Sequence, residues 1–229
     1  MSEGVIFSLA LIGAYLFGSI PSAYLAARWV SGIDLRKVGS GNVGSSNVLS
    51  SVSKWVAIPV LIFDVGKGVL VAWTASLLGL SAGTQLAVGV SAIIGHNWPI
   101  FLGFRGGRGI ATSLGVVLFI TPLLGAIILV GSYLFAPFKQ HGLGVFVMVL
   151  LLPFLGWFFA EPFGIEEKVA VVLGFAAITI VAFSRRLFHR RSKLSQSTPI
   201  GELLVNRLLF DRDIRSRELW LKRDQAGKA

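Results

Sequence analysis

Cysteine is absent from this 229-residue chain, which excludes disulfides, a thiol nucleophile and any cysteine-ligated metal. Histidine is nearly absent as well. None of His96, His141 and His189 opens an H-x₄-D pair, and none has a carboxylate at a metal-holding spacing such as H-E-x-x-H. Neither G-K-S nor G-K-T is present, so a Walker loop is excluded. Charged residues make up only 14% of the chain against 54% hydrophobic, too little polar surface for a soluble domain. The alternating segments of about 10 residues that mark a transmembrane β-barrel are missing too. A chain without an evident base or metal ligand set is left with positioning and electrostatics acting on already activated substrates. No metal and no cofactor is expected.

What the chain has is long hydrocarbon. Apolar runs cover Val5 to Val30, Trp55 to Leu78, Ala82 to about His96, Ile110 to Pro137, Leu143 to Phe159 and Val169 to Ser184. Runs of roughly 20 residues indicate membrane-spanning helices. The first is too long for a cleaved leader and is read as a retained span. Ile110–Pro137 as one helix would be about 42 Å long, against a hydrocarbon core of about 30 Å. Broken at Thr121-Pro122, it gives two short helices of about 18–24 Å. Charge favours the break. With seven spans and the N-terminus outside, Arg28, Arg36, Lys37, Lys54, Arg105, Arg108, Lys139 and the basic tail fall inside, as the positive-inside rule requires. Only Lys168 falls outside, beside Glu161, Glu166 and Glu167. The expected fold is therefore all-α and polytopic, with seven transmembrane helices, the C-terminus cytosolic and an amphipathic helical tail.

The net charge of +10 is uneven. Residues after Ser184 hold 12 of the 21 Lys and Arg and 5 of the 11 acids. Orientation and anionic headgroups account for this more simply than nucleic acid, for which there is no module signature. Residues 1–185 are read as the membrane domain and 186–229 as a basic cytosolic tail with short helices. In that tail Thr198-Pro199 followed by Glu202 reads as a helix start, with proline at the first helical position. Ile200, Leu203, Leu204 and Leu208 share one face of that helix, and Asp211 is placed to cap a second short helix carrying Trp220. Such a tail suits a membrane-surface helix, a cover over a site, or a segment docked on its own bundle.

Two glycine-rich segments at span ends carry the chemistry. Gly39-Ser40-Gly41-Asn42-Val43-Gly44-Ser45-Ser46-Asn47 contains a literal G-x-G-x-x-G, but it follows no strand and is no dinucleotide fingerprint. Its small residues allow a ligand close to the backbone, and its hydroxyls and amides supply hydrogen bonds. The second segment runs from Gly95-His96-Asn97 to Arg105-Gly106-Gly107-Arg108-Gly109-Ile110-Ala111-Thr112. Its last glycines open the next helix, so backbone N–H groups and two guanidiniums meet at a helix N-terminus, a combination suited to phosphate. Asp64 and Lys67 lie three residues apart on one face of the second span, where isolated charge is costly, so they are expected to pair.

These segments resemble the PlsY family, the bacterial acyl-phosphate:glycerol-3-phosphate acyltransferases. Val38 to Val48 is similar to that family's G-S-G-N-x-G-A-T-N motif. Gly95-His96 through Thr112 is similar to its G-H … F-K-G-G-K-G-V-A-T, Asp64 to Gly68 to its D-x-x-K-G, and Leu16 to Pro21 to its first span. The resemblance implies a multi-pass enzyme of the bacterial cytoplasmic (inner) membrane, acting as a monomer, with acyl phosphate and glycerol 3-phosphate as its substrates. The resemblance also implies that no metal is needed, and that the donor's own phosphate takes the hydroxyl proton in place of a protein base. It further implies that Ser40, Asn42 and Arg108 are catalytic. Gly39, Gly41, Gly44, Ser46, Asn47, His96, Asn97, Arg105, Gly106, Gly107, Gly109, Thr112 and His189 would bind substrate.

The chain departs from the family pattern in three places. Arg105 and Arg108 replace lysines. Ser50 stands where an arginine is common, with Lys54 one helical turn further on. Arg185 to Arg191 keeps the basic character of the R-H-R-x-N-I tail without its asparagine, and the chain continues well beyond. The alternatives are a transporter of a phosphorylated metabolite or anion and an inactive substrate-binding paralogue.

Overall fold

The computed structural model describes residues 2–163, 165, 167–189, 191 and 195–222, and among these it contains helices and no strand. In chain order the helices are α1 (Glu3–Gly18), α2 (Ser22–Ser31), α3 (Ser45–Ser51), α4 (Lys54–Leu77), α5 (Ala82–Asn97) and α6 (Ile110–Ile120), then α7 (Pro122–Tyr133), α8 (His141–Phe159), α9 (Lys168–Leu187), α10 (Ile200–Phe210) and α11 (Arg217–Lys222). Five helical stretches are long and apolar enough to cross a membrane: Glu3–Ser31, Lys54–Leu77, Ala82–Leu102, His141–Phe159 and Lys168–Leu187. Their outward faces carry Trp29, Trp55, Phe154, Phe158, Leu173 and Ile180, all exposed. An apolar exterior of this kind is stable only in lipid. The protein is a multi-pass integral membrane protein.

The run from Ile110 breaks where expected. Pro122 has no N–H and biases Thr121 away from the helical region (φ −139°, ψ 83°), which gives the short apolar helices α6 and α7. The first run breaks as well, which the reading of Val5–Val30 as one span did not anticipate. Pro21 sets the break between α1 and α2, and the freed backbone groups need partners because lipid offers none. Lys67 supplies them from α4: its Nζ donates to the carbonyl of Ile20 at 2.6 Å and to that of Gly18 at 3.5 Å. Asp64 Oδ1 accepts from Lys67 Nζ at 3.0 Å and from Ser22 Oγ, at the start of α2, at 2.7 Å. The expected Asp64–Lys67 pair therefore forms, and its purpose is to satisfy the interrupted helix.

Elsewhere the bundle packs by small residues. α4 and α6 cross at Gly68 and Gly115, where any side chain would run into the facing backbone, the close approach typical of helices in membranes. Leu86, Ile93, Val116, Leu124, Phe175 and Ile178 fill the centre between α5, α6, α7 and α9.

The tail differs in detail from its sequence reading. α10 starts at Ile200, so Pro199 precedes the helix and caps it. Asp211 closes α10 in the left-handed conformation (φ 62°) and does not open α11. Ser216 does that, with Oγ accepting from Leu219 N at 3.4 Å. The four residues read as one face also divide: Leu203 is buried, while Ile200 and Leu204 face outward with Val205. α10 thus docks on α8 and α9 and keeps an apolar outer face.

Replacing Lys67 with methionine leaves Asp64 and the carbonyl of Ile20 buried without their cation. The expected cost is about 3–5 kcal/mol, read as a fall in thermal unfolding temperature in detergent. Adding Asp64→Asn should recover only part of it, because the carbonyls at the break remain unsatisfied.

Candidate active site

The first loop is built on two side chains. Asp34 opens the 3₁₀ turn Leu35–Lys37 by accepting from Arg36 N at 3.0 Å, and the Arg36 guanidinium grips both its carboxylate oxygens at 2.9 and 2.7 Å. The hydrogen bond from Arg36 holds the Asp34 carboxyl below its ordinary value against the opposing effect of partial burial. Asn47, in the first turn of α3, then knots the loop. Its Nδ2 donates to the carbonyls of Leu35, Val38 and Asn42 at 3.1, 3.1 and 2.9 Å. Its Oδ1 accepts from Ser40 N at 3.1 Å and Ser51 Oγ at 3.2 Å. Gly39 turns with φ +55°, and a side chain there would strike Asn47, so only glycine fits. Gly41 N closes the turn onto the Val38 carbonyl at 2.9 Å. Gly44 caps α3, Ser46 is exposed, and Ser40 is half-buried with Oγ accepting from Asn42 N at 3.4 Å. Asn42 is buried, and its Oδ1 has no partner among the described residues.

The second loop folds back on the end of α5. Gly106 N donates to the Asn97 carbonyl at 3.2 Å and Gly107 N to that of His96 at 3.0 Å. Their own carbonyls accept from the buried Arg185 of α9, Nη2 to Gly106 and Nε to Gly107, both at 2.9 Å. Gly107 is where the two loops meet: a side chain there would collide with the ring of His96 and the carbonyl of Val43. The same residues, with Ser19, Pro21 and Ser22, line a narrow cleft. His96 Nδ1 stands 3.7 Å from Asp64 Oδ1, which ties this cleft to the plugged break of the first run.

Since Gly106 and Gly107 commit their N–H groups to α5, the donors left for an anion lie further along. Gly109 caps α6 at φ +71°, and the N–H groups of Ile110, Ala111 and Thr112 have no partner among the described residues. A helix N-terminus of that kind attracts negative charge. Arg108 stands beside it, with Nη1 donating to Asp211 Oδ2 and Nη2 to the Asp211 carbonyl at 3.2 Å. Both amide atoms of Asn97, which lies against Gly109, and the Thr112 hydroxyl are buried without partners among the described residues. Arg105 is exposed.

Comparison with known proteins decides what these loops belong to. The sequence profile described as glycerol-3-phosphate acyltransferase matches residues 8–192. The chain is 44% identical over 222 residues to glycerol-3-phosphate acyltransferase 4 of Dehalococcoides mccartyi strain CBDB1, covering 97% of this chain and 96% of that one. The chain belongs to the glycerol-3-phosphate acyltransferase family.

A further member, from Thermus thermophilus, is 43% identical over 150 residues, 62% of this chain and 75% of its own. The fold is shared with crystal structures of PlsY, described as an integral membrane glycerol 3-phosphate acyltransferase. The glycerol 3-phosphate form gives a TM-score of 0.69 at 28% identity over 84% of this chain and 99% of that one. The lysophosphatidic acid form gives 0.68 at 26% identity over 88% and 93%.

In this acyltransferase the loop of Ser40 and Asn42 meets Gly107 of the second loop, which runs from the end of α5 at His96 and Asn97 to the start of α6, whereas His189 lies just beyond α9. Ser50 is exposed, its hydroxyl donating to the Asn47 carbonyl at 3.2 Å, and Lys54 lies over the Trp55 ring at 5.1 Å. The charges a transporter would use inside the bundle, Asp64 and Lys67, are engaged in the helix break. Gly79-Leu80-Ser81-Ala82-Gly83 spells G-x-S-x-G. It joins two helices rather than a strand to a helix, so it forms no nucleophile elbow. The sequence assigned Asp211 only to a helix cap and Arg185 only to a basic stretch, neither to the site. The Arg185-Arg186 pair at the edge of the last apolar run was the available signal, and it reads as orientation charge unless α9 is known to continue through it to Leu187.

Arg185→Ala should leave the bundle folded but free the loop carbonyls. A loss of roughly 10²-fold in turnover is expected from displacement of the loop, together with faster amide exchange at Gly106 and Gly107.

Proposed function

We propose that this acyltransferase moves a fatty acyl group from acyl phosphate to the 1-hydroxyl of glycerol 3-phosphate, on the cytosolic side of a bacterial cytoplasmic membrane. The hydroxyl oxygen attacks the acyl carbonyl carbon and forms the ester bond. The bond from that carbon to the phosphate oxygen breaks, and phosphate leaves with the hydroxyl proton. Lysophosphatidate and inorganic phosphate result. The leaving phosphate serves as proton acceptor, so the reaction asks of the protein only alignment and charge stabilisation.

The observation that carries this reading is the open set of N–H groups at the start of α6 with Arg108 immediately before it in the chain, in a family of glycerol-3-phosphate acyltransferases. Arg108 and the α6 N-terminus hold a phosphate while Ser40 and Asn42, from the facing loop, orient the other substrate. Gly41 and Gly44 let a substrate approach the backbone of the first loop, while Gly39, Gly106, Gly107 and Gly109 make room for neighbouring protein atoms and so hold the shape of the loops. The short helices α6 and α7 each complete a crossing. The chain then spans the membrane seven times, with its N-terminus outside and both loops and the tail in the cytosol, as its charge distribution favours.

Purified protein in detergent, given palmitoyl phosphate and glycerol 3-phosphate, should release phosphate and form lysophosphatidate. Ser40→Ala and Arg108→Ala should each lower kcat/KM by at least about 10²-fold while remaining folded in the membrane. A folded wild type that releases no phosphate sinks the proposal, and a preference for dihydroxyacetone phosphate would change the acceptor.

A further inference from the structure

The family profile ends at residue 192, yet the segment beyond it reaches the centre of the candidate site. α10 is held firmly. Arg207 binds Asp213 at 2.7 Å and the Leu187 carbonyl at 2.8 Å, and Arg186 Nη1 donates to the carbonyls of Leu208 at 2.7 Å and Gly142 at 3.2 Å. At Gly142 the backbone of Phe210 approaches so closely that no side chain would fit. This docking brings Asp211, in its left-handed turn at the end of α10, onto Arg108.

The contact uses one edge of the guanidinium. Nη1 and Nη2, the end of the fork, are taken by the Asp211 carboxylate and carbonyl. Nε is buried and has no partner among the described residues. It forms the side of the fork with an adjacent Nη hydrogen, a geometry matched to two oxygens of a phosphate. Arg186 Nε lies 3.7 Å from Asp211 Oδ1, so two arginines share one carboxylate and the cluster keeps a surplus positive charge. A freely rotating arginine would lose orientation in meeting a phosphate, whereas one clamped at its end is already aimed.

We propose that Asp211 is a positioning residue of this acyltransferase: it fixes the end of the Arg108 guanidinium so that the side edge is presented to a substrate phosphate. The role rests on the reading of Arg108 as a phosphate ligand. It makes the C-terminal segment a working part of the site.

The test uses full-length protein with Asp211→Asn and Asp211→Gly. Both residues tolerate the left-handed turn and so preserve the end of α10. KM for the phosphate-bearing substrate that Arg108 holds should rise roughly tenfold, more for glycine than for asparagine, with kcat changed less than about threefold. Binding of inorganic phosphate, followed by calorimetry, should weaken in parallel. In an Arg108→Lys background the Asp211 substitutions should add nothing further. The inference is overturned by unchanged KM and phosphate binding in both variants, or by a full effect that persists beside Lys at position 108. A lower KM would also overturn it, since Asp211 would then compete with phosphate. A wild type that binds phosphate, more weakly in both variants, but transfers no acyl group would remove the acyl-transfer reading and leave this inference standing.

Discussion

The ammonium of Lys67, seated on the carbonyls of Gly18 and Ile20, is the constraint on which the rest of the structure depends. A helix interrupted inside a membrane exposes backbone groups that hydrocarbon cannot satisfy, and a lone charge inside a span is equally costly. Each problem solves the other here. Asp64 completes the arrangement by accepting from Lys67 and from Ser22 beyond the break. α1, α2 and α4 are fixed against one another at that point. The same carboxylate lies near the His96 ring, whose helix leads directly into the arginine-bearing loop.

From that joint outward, the site is a backbone held by side chains. Asn47 knots the first loop from within, and Arg185 ties the carbonyls of Gly106 and Gly107 from α9. Both are long-range or multiply bonded contacts that leave the loops little freedom. For a reaction between a charged acceptor and an activated donor, that rigidity is the useful property, because alignment and fixed dipoles supply the rate. Gly106 and Gly107 of the second loop are structural in their N–H groups, and the free donors fall at the start of α6.

Beyond the part of the chain that the family profile covers, the tail contributes contacts of its own. α10 packs on α8 and α9 through Leu203, Asn206 and Arg207 and turns Ile200, Leu204 and Val205 outward. Of the readings that the sequence offered for the tail, the one shown is docking on the bundle, with an apolar face left outward.

Taken alone, the sequence determined the class of fold and the chemical character of the loops. Apolar runs of membrane length, the Thr121-Pro122 break and the two glycine-rich segments are local properties, written in hydropathy and backbone preference. The family match was legible for the same reason, since its motifs are contiguous. Only the tertiary structure decided where the charges went. The break at Pro21 was concealed because its remedy, Lys67, lies in another helix. The role of Arg185 needed α9 beside the loop, and the meeting of Asp211 with Arg108 joins positions 103 residues apart. Pairings of that kind depend on how helices pack, and no local periodicity records which distant carbonyl or carboxylate a buried cation will find.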